Sequence, residues 1–244
     1  MSYFNPVVHA LGLERPESPY TTVLLDLEGH GMSPTRATSQ LSIESYAQDM
    51  HDILQATDVL PSEDNKSLTL VAHSMGCLIA SLFASQHPES VKRLVLSDPP
   101  PCPLPAGGAD NSIKRAATVR AEGMRNVAIT VSEAGTSAKT KAERPLALTA
   151  IQMSLLSQDP EGYAKGCTAL AGARNLKVDF EKLGNSIETL IITGDEDKIS
   201  APELVKKLGE SMKGAVTKML SQVGHWHVFE GVEAFSDALK GFLS

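Results

Sequence analysis

Val71-Ala72-His73-Ser74-Met75-Gly76 is the stretch on which the reading of this chain turns. The apolar run Leu68 to Ala72 leads into it, and a run of helical spacing from Met75 to His87 leads out, stopped by Pro88. A serine where a strand turns into a helix, with Ala72 and Gly76 two places to either side, matches the pattern G-x-S-x-G with alanine for the first glycine. Such a turn is tight and strained, so its neighbours must be small. It lifts the Ser74 hydroxyl clear of the sheet. It also sets the backbone N–H of Met75, at a helix N-terminus, where a developing oxyanion would form. A bare S-x-G is a weak signal, and the strand before it and the helix after it give it weight.

Working outward, apolar strands alternate with amphipathic helices. Thr22-Val23-Leu24-Leu25 reads as a buried strand running into a glycine-rich loop. Ser42 caps a helix whose apolar positions Ile43, Tyr46, Ala47, Met50, Ile53 and Leu54 share one face. Val91 to Leu96, Leu190 to Ile192 and Val216 to Leu220 read as further strands. Ser200-Ala201-Pro202-Glu203 reads as a capping box, and Val232, Phe235, Leu239 and Phe242 mark a final helix. The expectation is an α/β fold, a mostly parallel sheet with flanking helices. Between about Pro99 and Leu176 the rhythm breaks into helical patterns after a proline-rich opening. The chain therefore divides into a first part of the core (1–98), a helical cap (99–176) and a second part of the core (177–244).

A serine hydroxyl needs a base within hydrogen-bond reach to act as a nucleophile. His225 follows Gly224 just after the last strand, and Asp197 closes Thr193-Gly194-Asp195-Glu196-Asp197 after the strand at Leu190. The order Ser, Asp, His, with each residue at a C-terminal strand end, is that of a nucleophile–acid–base set on an open parallel sheet. His227 competes with His225 for the base, and Asp98, after the strand at Val91, competes with Asp197 for the acid. His73 and His30 flank the site as candidate substrate contacts, with packing as the plainer reading. Cys77, one turn past Ser74, reads as core. In the cap, basic residues outnumber acidic ones. Arg115, Arg120 and Arg125 are candidates to hold a substrate carboxylate, although solvated helix faces account for most such residues.

Composition sets the outer bounds. The 244 residues are 42% hydrophobic and 21% charged, which suits one globular domain. A formal net charge of -7 argues against nucleic acid as a partner. No apolar stretch is long enough to span a bilayer, and the first residues lack the pattern of a signal peptide. Three scattered cysteines, Cys77, Cys102 and Cys167, suit neither a disulfide framework nor a zinc site. The expectation is a cytoplasmic home, a small-molecule substrate, and no cofactor or metal. Oligomeric state is left open.

Four stretches carry a resemblance: Asp26-Leu27-Glu28-Gly29-His30-Gly31-Met32-Ser33, the turn at Ser74, Gly194 to Asp197, and Gly224-His225. With Asp159-Pro160-Glu161-Gly162-Tyr163-Ala164 in the cap, they make the chain similar to α/β hydrolases, most of all to 3-oxoadipate enol-lactonases and related small esterases. The resemblance implies a serine hydrolase cleaving an ester, lactone or thioester of a small acid, with secondary metabolism as one setting. It assigns Ser74 as nucleophile, His225 as base, Asp197 as acid and Met75 N–H as oxyanion donor. It also implies two or three strands and a His-Gly loop before Asp26, whereas Asn5 to Leu11 resembles the helix that follows that loop. A strand normally lies between those at Thr22 and Leu68 as well. The expected sheet is therefore shortened at the N-terminal side, with the Thr22 and Leu68 strands paired directly and half the oxyanion hole missing. The rival from another class is a binding or scaffold protein that keeps these residues without turnover.

Overall fold

In the computed structural model, residues 3–60 and 68–244 are described. Helices α1 (Asn5–Ala10) and α2 (Ile43–Ala56) precede strand β1 (Leu68–His73), helix α3 (Met75–Gln86) and strand β2 (Val91–Ser97). Helices α4 (Ala106–Glu122), α5 (Met124–Gly135), α6 (Ala138–Glu143), α7 (Pro145–Leu156) and α8 (Pro160–Gly172) follow. A 3₁₀ turn (Ala173–Asn175) and α9 (Phe180–Ser186) lead back to the sheet. Strand β3 (Glu188–Gly194), α10 (Pro202–Ser211), β4 (Val216–Leu220), α11 (His227–Glu230) and α12 (Val232–Leu243) complete the order.

The four strands form one parallel sheet in the order β1-β2-β3-β4. Interior strands of such a sheet are covered on both faces, so they read as continuous apolar runs. Accordingly Leu94, Val95 and Leu96 of β2 and Leu190, Ile191 and Ile192 of β3 are at most 1% exposed. On one face α2, α3 and α10 pack Tyr46, Phe83 and Val205 into one core cluster. On the other, α1 and α12 bring Val7 and Phe235 into a second. The helices between β2 and β3 build a third cluster of their own, which Trp226 joins from the loop after β4.

Local signals carried through where their partners are close in sequence. Ser42 and Ser45 form a reciprocal capping box at the start of α2. Two other expectations are corrected. The segment Thr22 to Leu25 is not a strand. Thr22 Oγ1 donates to the Leu13 carbonyl, and just before the segment Tyr20 Oη donates to that of Leu243, at the end of α12. Val23 and Leu24 are left 44% and 42% exposed. The expected pairing with β1 does not form, and among the described residues β1 pairs with β2 alone. An apolar run becomes a strand only by finding a ladder partner, and among the described residues this one finds none. The Ser200 box also fails, because the Ser200 hydroxyl donates to the Asp98 carbonyl, and α10 begins without a side-chain cap.

The loop 26–33 owes its shape to its glycines. Gly31 has φ +55°, and a Cβ there would collide with the Asp26 carboxylate, which accepts from Met32 N–H at 3.0 Å. Helix α8 lies directly on this loop. A Cβ on Gly162 would come within 2.7 Å of Gly29 Cα. The described residues contain no helix long and apolar enough to cross a membrane.

Candidate active site

Ser74 sits at the junction of β1 and α3 with φ +52° and ψ −125°, a conformation that costs a non-glycine residue roughly 1–3 kcal/mol. The surroundings fix it there: its N–H donates to the Ser97 carbonyl at 2.9 Å, and its own carbonyl accepts from Cys77 N–H at 2.8 Å. Ala72 and Gly76 flank the turn closely, and a Cβ on Gly76 would meet Ala72 Cβ at an ordinary contact distance of 3.8 Å. The N–H of Met75 opens the first turn of α3, where no intrahelical acceptor exists.

The loop after β4 carries His225 to this turn. Ser74 Oγ lies 3.0 Å from His225 Nε2, and His225 Nδ1 lies 2.8 Å from Asp197 Oδ2. The second Asp197 oxygen accepts from the N–H groups of Ile199 at 2.6 Å and Ser200 at 3.0 Å. Both Asp197 and His225 are 3% exposed. Burial works to raise the Asp197 pKa, but the hydrogen bond and charge of His225, with the two N–H donors, outweigh it and hold the carboxyl below its ordinary range. A carboxylate that stays ionised keeps the imidazole proton on Nδ1 and leaves Nε2 free to accept from Ser74.

Asp98 and His227 lie beneath this set. Asp98 Oδ2 is 2.5 Å from His227 Nε2 and 3.9 Å from His225 Nδ1. Burial, with the neighbouring charge of Asp197, pushes the Asp98 carboxyl well up, against the opposing pull of His225. Burial also takes His227 down to about 4. The pair is therefore neutral: a protonated carboxyl facing an unprotonated Nε2, with Nδ1 of His227 donating to Ser97 Oγ at 2.8 Å. His227 is fully buried against these partners rather than against Ser74. Donor atoms of His73, Asp98 and His225 lie within 4.8 Å of one another. Two of those residues are already engaged, His225 Nδ1 with Asp197 and His73 Nε2 with a backbone carbonyl, so a metal ion there would have to break them.

The other candidates from the sequence take packing positions. His73 donates from Nε2 to the His225 carbonyl at 2.8 Å and stacks on Tyr3 with ring centroids 4.5 Å apart. His30 donates to the Glu28 carbonyl and wedges between Tyr46 and Gly166. Arg120 forms a two-pronged pair with Glu161 of α8 at 2.9 and 3.1 Å, and Arg115 of the same helix faces Tyr163. Both arginines thus join α4 to α8. Sequence reasoning passed over Glu230, a buried carboxyl that accepts from Trp226 N–H and Ser137 N–H. The available signal was a lone carboxyl directly after the run Val223 to Phe229.

Comparison with known proteins agrees with this layout. Over 99% of its length the chain superposes on a thermophilic esterase from Thermogutta terrifontis (TM-score 0.85, 22% identity, 84% of that chain). It superposes over 99% on the enol-lactonase from Burkholderia xenovorans LB400 (TM-score 0.81, 24% identity, 85% of that chain). At these identities the likeness establishes the fold. An uncharacterized Mycobacterium tuberculosis protein is 36% identical over 89 residues, which is 36% of this chain. That match spans only 23% of the mycobacterial protein's length. The family model described as alpha/beta hydrolase fold matches residues 12–232, and the chain belongs to that family.

Proposed function

We propose that this chain is a serine hydrolase acting on an ester, lactone or thioester of a small organic acid. The observation that carries the reading is the unbroken relay from Asp197 through His225 to Ser74, at 2.8 and 3.0 Å, on a strained strand–helix turn. Ser74 Oγ attacks the acyl carbonyl while His225 Nε2 takes its proton. Asp197 holds the imidazole with Nδ1–H toward it and stabilises the imidazolium. Met75 N–H stands as one donor to the oxyanion, aided by the positive end of α3. The imidazolium returns the proton to the leaving oxygen or sulfur. Water then attacks the acyl-enzyme by the same route, releasing the acid and regenerating Ser74. No step calls for a cofactor.

Trp226, next to His225, shares an apolar cluster with Val127, Val131 and Ile151 of the helices between β2 and β3, which supports a cap role for this insert. The setting, secondary metabolism included, is for substrate profiling to assign. A fluorophosphonate probe should label Ser74, and short-chain p-nitrophenyl esters should be hydrolysed. Both should disappear in Ser74→Ala. Labelling that persists in the variant would remove Ser74 as the nucleophile.

A further inference from the structure

The loop bearing His225 and the helical insert meet at one buried turn, and a carboxyl outside the relay joins them there. Glu230 closes α11, five residues beyond His225, and is 1% exposed. Its Oε1 accepts from Trp226 N–H at 3.1 Å and its Oε2 from Ser137 N–H at 2.8 Å. Ser137 lies in the turn between α5 and α6. At the head of that turn the Gly135 carbonyl accepts from the N–H of His225 itself at 2.6 Å. The Arg144 guanidinium donates to the Glu230 carbonyl, and on the solvent side Glu196 accepts from Ala138 N–H at 2.7 Å. The close approach is built into the chain. A Cβ on Gly224 would stand 2.9 Å from both Glu230 Oε1 and Ser137 N and would overlap the Gly135 oxygen.

Burying a carboxyl is costly, and an apolar side chain would fill the same space more cheaply. Two oxygens at a fixed spacing do what an apolar group cannot: they hold N–H groups from two distant segments in one geometry. We infer that Glu230 is a positioning residue, clamping the 135–138 turn of the insert to the His225 loop so that docking of the insert sets the imidazole between Asp197 and Ser74. This rests on the reading of those three residues as the relay of a hydrolase. The imidazole has to satisfy two partners at 2.8 and 3.0 Å at once, and a displacement of about 1 Å at such a site can cost roughly 10²-fold.

The test is Glu230→Gln, which keeps the volume but turns one acceptor into a donor facing an N–H. Its kcat on p-nitrophenyl acetate should fall about 10- to 100-fold, with KM within about twofold. The low-field proton NMR resonance of His225 Nδ1–H should shift or broaden. Ser137→Pro deletes the same bond from the insert's side, at a φ of −65° that proline adopts, together with the Ser137 cap on Thr140 N–H, for which Ser137→Ala is the control; it should reproduce both effects if Glu230→Gln does not fold. Wild-type kcat together with an unmoved resonance in either folded variant would overturn the clamp. If the wild-type protein neither takes the fluorophosphonate nor cleaves esters, the hydrolase reading fails, and the resonance alone then decides the clamp.

Discussion

Asp197→Asn and Asp98→Asn should differ in turnover by orders of magnitude, and the surrounding hydrogen bonds say why. Asp197 Oδ1 accepts from the N–H groups of Ile199 and Ser200. An asparagine there keeps its carbonyl oxygen on those two donors, so its NH₂ must face His225 Nδ1. That nitrogen then has to accept, the imidazole proton moves to Nε2, and Nε2–H points at Ser74 Oγ. A base in that tautomer cannot take the serine proton. The same change in a serine-protease triad costs about 10⁴ in kcat, which is roughly 5.4 kcal/mol at 1.36 kcal/mol per tenfold. We expect a loss of that order here. Asp98 is held protonated and faces an unprotonated His227 Nε2. Its Oδ1 also lies 3.4 Å from Gly194 N–H. Asparagine reproduces this pattern, with the carbonyl accepting from Gly194 and the NH₂ donating to Nε2, so the cost should stay within about threefold by the same tautomer argument. The assay is kcat/KM on p-nitrophenyl acetate, with second-order rates of fluorophosphonate labelling as a substrate-independent check. A loss under tenfold in Asp197→Asn, with one above 10³ in Asp98→Asn, would refute the argument and move the acid to the end of β2.

The buried imidazoles should also make the fold sensitive to acid. An unfolded histidine takes its proton near pH 6.5, whereas folded His227 stays neutral down to about 4. Between those values the unfolded chain binds the extra proton, so stability falls as pH falls, by on the order of 3 kcal/mol from His227 at the lower end. His73, also lowered by burial, adds in the same sense, and Asp98, held protonated, opposes it. Thermal melts from pH 7 to 4 should therefore show Tm falling less steeply in His227→Asn than in wild type, and equal slopes would contradict the linkage. In the insert, Gly162→Ala drives a methyl into the Gly29 backbone, so it should destabilise by about 1–3 kcal/mol with a lower Tm. An unchanged Tm would mean that α8 is free to lift from the 26–33 loop.

What the sequence determined by itself is what short-range physics decides. The Ser74 turn, the Ser42 cap and the apolar runs that become β2 and β3 each depend on residues within a few positions of one another. Period, capping and small neighbours are legible there without knowing the rest of the chain. The order of Ser74, Asp197 and His225 could be read too, because each follows a strand end. What only the tertiary structure decided depends on partners far apart in the chain. Thr22 to Leu25 has a strand's composition, yet the Thr22 hydroxyl bonds to Leu13, the neighbouring Tyr20 hydroxyl bonds to Leu243 at the end of α12, and no ladder forms. Ser200 looks like a cap and instead serves a carbonyl 102 residues away. Arg120 looks free for a ligand and is matched by Glu161 across two helices. Glu230 reaches Ser137 over 93 residues, a distance along which no local pattern runs. A polar side chain can name many partners, and only the packing of the apolar layers chooses which of them comes within 3 Å.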